Sequence, residues 1–465
     1  MRKSTLAFTI TFCFLSIHAQ TTFKSKVTIN GNTGNTPFNI ASGLINGDAY
    51  PDILVATYFD ETMEYYENNG DGTFPSTPVL ISNTLQEIGG LKLVDLNSDG
   101  TLDIIAAGYT NDKLVWFEGN GDGTFGAEQT ISSSIAGANG LAVGTVDAGN
   151  TIDIAVTAYD GNEVVWFSND GSGSFTGPNT IDNTISAPGS VNLKDVDGDL
   201  DLDAFITNAQ FAGSTDIAVL FRNDGNGTFT QDATDVTTGK NYIFNAFSAN
   251  LDGDTNVDFL LSELHVTAGA GNFYWIEEDG VGGYTETAFT TSIGNPAAAQ
   301  LHDLDNDSFL DIILSSGQTN AGNDIVWFRN DGAGGYEAEA VIDDTQSQAF
   351  VFTVNDFDQD GDLDIASCAY NQDDLNYFEN ELITLSNPTV ESTSFGLWPN
   401  PTSNEIVISS PIEEEIDITI YDSTGRIVAF VRSYTNTSID LNNLTAGLYV
   451  LQIDDYQTTL KFVKQ

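Results

Sequence analysis

Apolar and polar residues along this chain form short strand-like segments separated by turns. In one clear stretch, residues 91–94 alternate between apolar and polar side chains, which is typical of a half-buried strand. Residues 104–107 and 114–117 are two further apolar runs, and residues 125–131 make a fourth segment. The glycine-rich sequence 119–123 between the last two predicts a hairpin turn. This stretch therefore predicts four antiparallel strands.

An acidic phrase returns between the first and second strands of each such unit. Its clearest copies run from Asp95 to Asp103 and from Asp356 to Asp364. The copies recur at intervals of roughly 50 to 55 residues, a period that indicates a repeat architecture. The closing aspartates of the seven copies are Asp52, Asp103, Asp153, Asp203, Asp258, Asp311 and Asp364. Four antiparallel strands per repeat predict an all-β fold, a seven-bladed β-propeller.

The seventh repeat is incomplete, because it ends at Asn380 without a glycine turn or a fourth strand. The segment 22–29 near the start of the chain resembles residues 73–81 of the first repeat. We therefore predict that this N-terminal strand completes the last blade. Such a closure joins the two ends of the array and removes open sheet edges.

The acidic phrase also has the chemistry of a metal-binding loop. Carboxylates or amides stand at positions one, three, five and nine, and glycine at position six allows a sharp turn. Oxygen ligands at alternate positions suit Ca²⁺, a hard cation that takes about six to eight oxygens. The alternative is a set of Asx-rich turns without metal, but clustered carboxylates repel one another unless a cation neutralises them.

The copies differ in quality, and we expect structural Ca²⁺ at several of them. The predicted ligands are Asp95, Asn97, Asp99, Asp103, Asp195, Asp197, Asp199, Asp203, Asn250, Asp252, Asp254, Asp258, Asp303, Asp305, Asp307, Asp311, Asp356, Asp358, Asp360 and Asp364. The first copy is weaker and offers Asn46, Asp48 and Asp52. The third copy keeps only Asp147 and Asp153, so we expect no metal there.

Composition narrows the possible partners. The 465 residues include 67 acidic and 14 basic side chains, for a net charge of -53. Such a surface repels nucleic acid and anionic lipid, so no nucleic acid and at most peripheral membrane contact are expected. Aromatic residues are 11% of the chain and apolar residues 40%, enough for a sizeable core. We expect a monomer.

The repeats resemble the FG-GAP/VCBS family, of which the integrin α-chain heads are an example. The resemblance covers about residues 23–381 and is carried by the acidic phrases together with the aromatic and glycine-rich hairpins. It implies a seven-bladed propeller with Ca²⁺ in the acidic loops.

The two ends of the chain indicate export. Residues 1–19 have a charged start, an apolar stretch and Ala19 before Gln20, which is typical of a secretory signal peptide. We assign residues 20–381 to the propeller, 382–394 to a linker and 395–465 to a small Ig-like β-sandwich.

The last segment resembles the type A C-terminal sorting domain of type IX secretion, found in Bacteroidota. The residues that carry this resemblance are Trp398-Pro399-Asn400-Pro401, Tyr421-Asp422, Gly425-Arg426 and Leu444 to Tyr449. The resemblance implies contact with the type IX secretion machinery and passage across the outer membrane. It also implies a secreted protein or one held at the cell surface.

The antiparallel strand order places the acidic loops on one face of the ring and the turns after each second strand on the other. Tyrosines recur in these turns at Tyr58, Tyr109, Tyr159 and Tyr370, with Phe211, His265, Gln318, Tyr242 and Phe244 nearby by the same count. Aromatic rings and amides could bind a glycan or a protein ligand, or the tyrosines could simply cap the blade cores.

No catalytic residues stand out in the sequence. The propeller has eight lysines and arginines, scattered along the chain, and no nucleophile motif. We therefore expect a non-catalytic binding or adhesion module. The alternative is a carbohydrate-active enzyme, either a polysaccharide lyase or a glycoside hydrolase, built on the propeller.

Overall fold

The computed structural model describes residues 22–209, 216–254, 256–264, 271–279, 282–317, 323–381, 395–410, 415–422, 426–453 and 458–465. The proposed signal peptide and linker therefore lie outside the described residues. The chain divides into two compact units, Met1–Ile383 and Thr384–Gln465. All regular elements among the described residues are β-strands, as predicted, and the described part contains no helix able to cross a membrane.

Each repeat of the first unit forms one antiparallel sheet. The first sheet consists of β2 (Pro37–Gly43), β3 (Asp52–Thr57), β4 (Met63–Tyr66) and β5 (Val79–Ser82). The second consists of β6 (Ile88–Val94), β7 (Asp103–Gly108), β8 (Lys113–Phe117) and β9 (Gln129–Ser132). The third consists of β10 (Ala138–Gly144), β11 (Asp153–Ala158), β12 (Glu163–Asn169) and β13 (Phe175–Asp182). The fourth sheet has five strands, β14 (Pro188–Lys194), β15 (Asp203–Asn208), β16 (Asp216–Asn223), β17 (Phe229–Gln231) and β18 (Thr237–Lys240). The fifth consists of β19 (Ile243–Ala249), β20 (Asp258–Glu263), β21 (Asn272–Glu278) and β22 (Tyr284–Ala288). The sixth consists of β23 (Pro296–His302), β24 (Asp311–Ser316), β25 (Ile325–Phe328) and β26 (Ala340–Asp343).

The seventh sheet combines the two ends of the unit. It consists of β27 (Ala349–Asn355), β28 (Asp364–Ala369), β29 (Asp374–Phe378) and the N-terminal strand β1 (Val27–Asn30). Val27 lies opposite Tyr377 in the β1–β29 ladder, and a further bridge joins Phe23 to Asn380. The predicted completion of the last blade by the start of the chain is confirmed.

The sheets are arranged in a closed ring around a central channel. The first strand of each sheet contacts the first strand of the next, in the order β2, β6, β10, β14, β19, β23 and β27, and β27 contacts β2. We call these seven strands the inner strands. Their contact cycle is the arrangement of a β-propeller, and it leaves the second strand of each sheet buried on both faces.

Packing between neighbouring sheets forms the core of the ring. The aromatic pair at the end of β8 shows how: Trp116 packs with residues of the third sheet, and Phe117 packs with residues of the first. Aromatic pairs stand at the same position in most other repeats and likewise lie in the clusters between blades: Tyr65-Tyr66, Trp166-Phe167, Trp327-Phe328 and Tyr377-Phe378. Cys368 in β28 is fully buried, and burial raises the pKa of its thiol.

The second unit contains two antiparallel sheets around a core of its own. One sheet has β30 (Gly396–Trp398), β31 (Glu405–Ser409) and β34 (Ser438–Asp440), and the other has β33 (Ile427–Tyr434), β32 (Glu415–Asp422), β35 (Gly447–Ile453) and β36 (Thr458–Lys464). Inward-facing residues of both sheets, such as Ile406, Ile418 and Phe462, form a single apolar cluster.

Candidate functional sites

The closing aspartate of each acidic loop connects that loop to the neighbouring hairpin. Asp103 is fully buried, and its Oδ2 accepts the backbone N–H of Leu96 at 3.0 Å while its Oδ1 accepts that of Gly119 at 2.8 Å. The same pair of bonds is made by Asp52, Asp153, Asp203, Asp311 and Asp364. This aspartate therefore holds the loop in place through hydrogen bonds, whether or not it also binds a metal.

Burial makes the charged form of these aspartates costly. It raises the pKa of Asp52 and Asp258 to about 6, and that of Asp311 and Asp364 to about 7, although the backbone N–H groups oppose the shift. A nearby cation would favour the charged form.

Carboxylate oxygens from three loops approach one another closely enough to share an ion. The clusters are Asp195, Asp197 and Asp199; Asp303, Asp305 and Asp311; and Asp356, Asp358 and Asp360, each with ligand atoms within 4.8 Å of one another. In the sixth and seventh loops, the buried Oδ1 atoms of Asp305 and Asp356 have no hydrogen-bond partner among the described residues. Unpaired buried oxygens of this kind fit a cation ligand set.

The other predicted ligands are satisfied differently. In the second loop, Asp95 accepts the backbone N–H groups of Asp99 and Gly100, and Asn97 donates to Asp99 at 3.1 Å. In the fifth loop, Asn250 accepts the N–H of Gly253 and donates to the backbone of Asp254. The weaker first copy is linked by similar turns through Asn46 and Asp48.

Two arginines lie against the acidic loops, which sequence reasoning did not anticipate. Arg329 contacts Asp305 and Asp307 of the sixth loop, the latter at 2.6 Å from Nη2. Arg222 lies 3.2 Å from Asp203 and 3.7 Å from Asp197 of the fourth loop. In these two loops the protein itself supplies part of the neutralising charge. The sequence signal is that Arg222 and Arg329 directly follow the aromatic pair of their repeats, where four of the other five repeats have glutamate.

The turn geometry of the acidic loops differs from the prediction. Only Gly100 and Gly361 are glycines at position six, while Leu200 and Ser308 adopt positive φ at the same position. Position four also has positive φ in six loops, at Gly47, Ser98, Gly198, Gly253, Asn306 and Gln359. The expectation that glycine at position six makes the turn is therefore wrong as a general rule. The loop reverses at two left-handed residues, which costs little for Asn or Gly but more for Leu200.

The recurring tyrosines come together on the face of the ring opposite the acidic loops. Tyr58, Tyr109, Tyr159 and Tyr370 line one pocket of about 500 Å³. The same pocket is lined by Phe38, Tyr242, Phe244, Phe350, Leu264, Gly317, Asn139, Asn295 and Gln348. We call it the aromatic pocket. Its described lining includes aromatic rings and amides but no charged side chain.

Three phenylalanines from different repeats meet at the base of this pocket. The ring centroids of Phe38 and Phe244 are 6.1 Å apart, and those of Phe244 and Phe350 are 4.7 Å apart. Phe38 starts the first inner strand and Phe244 belongs to the fifth, so the contact spans the middle of the ring. The phenylalanines therefore narrow the channel beneath the pocket.

The tyrosine hydroxyls are engaged at the pocket margin. Tyr109 donates to Asp160 at 3.1 Å, and Tyr159 donates to the backbone oxygen of Ala209 at 2.9 Å. Burial, together with the Glu87 carboxylate, raises the pKa of Tyr58 to about 12. These hydroxyls stay protonated at neutral pH. The ring centroids of Tyr109 and Tyr159 lie 6.0 Å apart, so the two rings form one side of the pocket.

Comparison with known families agrees with these observations. The family model described as FG-GAP-like repeat matches residues 45–106, 95–151 and 303–367, and the model described as secretion system C-terminal sorting domain matches residues 396–465. The chain contains FG-GAP-like repeats and a C-terminal sorting domain. The sorting domain, which is of the type IX kind, marks this FG-GAP propeller as a secreted or cell-surface protein.

Solved structures similar to the FG-GAP propeller have low sequence identity. BBS1N in complex with ARL6DN has a TM-score of 0.53 at 9% identity and covers 80% of this chain and 99% of its own. The Dos1 propeller has a TM-score of 0.46 at 11% identity, and the match covers 77% of this chain and 95% of the Dos1 propeller. An Agrocybe aegerita lectin that recognises non-reducing terminal N-acetylglucosamine has a TM-score of 0.45 at 18% identity. That match covers 67% of this chain and 81% of the lectin. No curated protein sequence matches the chain.

Several other predicted residues can now be placed. Tyr242 and Phe244 line the aromatic pocket, while Phe211, His265 and Gln318 lie outside the described residues. His302 ends β23, where its Nε2 lies 3.0 Å from Gln300 Oε1 and burial lowers the pKa of its imidazole.

The residues that sequence reasoning missed include a set of asparagines that connect adjacent blades. Asn169 at the end of β12 donates to the backbone oxygen of Leu96 in the preceding blade at 2.7 Å. Equivalent bonds cross four other junctions, from Asn68, Asn223, Asn330 and Asn380. The sequence does contain a signal for these residues: an asparagine recurs two positions after the second residue of most aromatic pairs.

Proposed function

We propose that this FG-GAP propeller is a non-catalytic binding module whose aromatic pocket takes a glycan. The observation that carries the proposal is the convergence of four tyrosines from separate repeats on one pocket. Residues that only cap their own blade cores need not share a cavity. Instead, Tyr58, Tyr109, Tyr159 and Tyr370 border a space of about 500 Å³, a volume within the usual range for small-ligand sites.

The lining chemistry supports a sugar ligand. Aromatic rings offer flat apolar faces against which the C–H groups of a sugar ring can pack. Asn139, Asn295 and Gln348 add amides that can donate to and accept from hydroxyl groups. The combination of an apolar surface with a few polar groups is what orients a polar ligand in a concave site.

Binding of a glycan panel to the full chain tests this proposal. We expect affinity for at least one glycan, lowered about tenfold or more by Tyr109→Ala and by Tyr159→Ala. Tyr434→Ala, which removes an exposed tyrosine of the second unit, is the matched control and should bind normally. Binding that is indifferent to both pocket substitutions contradicts the assignment of the site. Binding to a protein partner instead of a glycan contradicts the proposed glycan ligand. Turnover of a polysaccharide contradicts the proposal that the module is non-catalytic.

We also propose that Ca²⁺ occupies acidic loops and stabilises the ring. The support is the set of three carboxylate clusters and the unpaired oxygens of Asp305 and Asp356. A bound Ca²⁺ would neutralise carboxylates that otherwise repel one another, while the closing aspartates hold each loop against its hairpin.

Chelation tests the metal proposal independently of ligand binding. Excess EDTA should lower the melting temperature by several degrees, and added Ca²⁺ should restore it, because metal binding and folding are linked. Asp356→Asn should reduce this difference, whereas Asp122→Asn in an exposed hairpin should not. Identical melting curves with EDTA and with Ca²⁺ contradict a stabilising metal.

A further inference from the structure

The inner strands differ in charge from the rest of the chain. The protein has 67 acidic residues, yet none of them lies in β2, β6, β10, β14, β19, β23 or β27. The basic residues of these strands are Lys92, Lys194 and His302. The centre of an acidic ring is therefore bordered by strands whose ionisable groups are all basic.

Lys92 is the one of these three residues that faces a cavity in the central channel. It lines a cavity of about 230 Å³ in the central channel, below the aromatic pocket. Lys92 is exposed to the solvent of the channel, and no residue that the structure describes forms a hydrogen bond or ion pair with its side chain. By contrast, the more peripheral Lys113 pairs with Glu128 at 2.8 Å. An ammonium group that has no counter-charge on the acid-free strands around it favours an anion beside it.

Amide groups near Lys92 are also incompletely bonded. Asn139 lines both the channel cavity and the aromatic pocket, and its side-chain amide has no hydrogen bond to any described residue. The buried Oδ1 of Asn245, which lines the channel cavity, likewise has no partner in the described part of the chain. The cavity thus offers polar groups that the protein itself does not satisfy, as expected of a site that binds a polar group.

The channel cavity and the aromatic pocket are adjacent. Phe38, Asn139, Tyr242 and Phe244 line both of them. A ring that packs against the tyrosines can therefore direct a substituent past Asn139 towards the ammonium group of Lys92. A neutral ligand would leave that charge uncompensated, and a cationic ligand would be repelled by it.

We propose that the ligand of the aromatic pocket is an acidic sugar, a hexuronate, whose carboxylate is bound by Lys92 in the channel. This rests on the proposed glycan-binding function and specifies its ligand. The overall charge of the chain does not oppose the contact strongly, because charges more than about 8 Å away are largely screened at physiological ionic strength. A carboxylate and an ammonium group in contact inside a channel are screened far less.

Calorimetric titration of the full chain with matched sugars tests the proposal. The probes are the methyl glycosides of glucuronic and galacturonic acid, their neutral parents glucose and galactose, and acetate. We expect at least one uronate to bind roughly tenfold or more tightly than its neutral parent. Lys92→Met should remove this preference without weakening the neutral sugar, Lys92→Arg should retain part of it, and Lys24→Met should leave it unchanged.

The outcomes separate this inference from the proposed function. Equal affinity for the acidic and the neutral sugars overturns the role of Lys92, and so does a preference for the uronate that is unchanged in Lys92→Met. In either case the Tyr109→Ala variant still tests whether the aromatic pocket binds the sugar. Acetate binding as tightly as the uronate shows a general anion site and overturns the sugar assignment. Absence of binding to any glycan contradicts both proposals. Lys92→Met should melt close to the wild-type temperature, because the exposed Lys92 side chain makes no hydrogen bond or ion pair with the described residues, so loss of binding can be distinguished from loss of folding.

Discussion

The closing aspartate of the second loop offers a direct test of how these loops are held. We expect Asp103→Ala to destabilise the propeller even when no metal can bind. The substitution leaves the backbone N–H groups of Leu96 and Gly119 without their acceptor, and both residues are buried. A buried donor left unsatisfied costs about 1 to 3 kcal/mol, so the two together cost about 2 to 6 kcal/mol.

This free energy converts to a measurable change in melting temperature. If the ring unfolds as one unit of roughly 360 residues, a typical entropy of unfolding of about 2.1 cal/mol/K per residue predicts a decrease of about 3 to 8 °C. The lower part of this range is expected at pH 7. Burial raises the pKa of Asp103, so its removal also relieves the cost of a buried charge.

Calorimetric melting in excess EDTA is the assay, repeated with added Ca²⁺. Asp122→Ala is the control, because among the described residues this exposed aspartate accepts side-chain hydrogen bonds from Thr124 of its own hairpin alone. Asp103→Asn keeps one acceptor oxygen and should lie between wild type and Asp103→Ala. If Asp103→Ala melts like the wild type in EDTA and differs only with Ca²⁺, the hydrogen-bond reasoning is wrong and the residue acts through the metal alone.

Three further predictions address the ring closure, the blade junctions and a buried acid. Ile29→Ala in the closing strand should cost about 2 to 4 kcal/mol in denaturant unfolding, whereas Val27→Ala, 56% exposed, should cost little; equal effects would contradict the packing of β1. Asn169→Ala should cost about 1 to 3 kcal/mol because it removes a bond between blades, and the exposed Asn120→Ala should be nearly neutral in the same experiment. Burial raises the pKa of Asp324 to about 7 from an ordinary 3.8, so its charged form destabilises the fold above pH 7 and the penalty disappears as the pH falls towards 4. Asp324→Asn should therefore raise the melting temperature at pH 8 but not at pH 4, and an equal shift at both would contradict this.

Much of the fold could be predicted because its determinants are local and repeated. The alternating and apolar runs predicted the strands, and the fixed period predicted that each repeat makes one sheet. Even the closing strand was found from sequence, because segment 22–29 has the pattern of a fourth strand that the seventh repeat lacks. The recurring tyrosines were likewise assigned to one face of the ring from the direction of the strands.

The candidate sites were predicted less completely, because their properties depend on residues from different repeats. Arg222 and Arg329 follow aromatic pairs in the sequence, and only the antiparallel pairing places their side chains against the acidic loops. Phe38, Phe244 and Phe350 occupy similar positions in three repeats but meet only where the ring brings its inner strands together.

The sequence alone determined the all-β repeat architecture, the acidic loops and the C-terminal sorting domain, since each is encoded by residues close together in the chain. The tertiary structure decided which side chains share a cavity. Lys92 is one of eight apparently scattered basic residues in the sequence, and it becomes significant only because the closed ring places it in a channel bordered by strands without acids. The physical reason is that periodicity fixes the conformation of each blade, whereas the charge and shape at the centre arise from all the blades together.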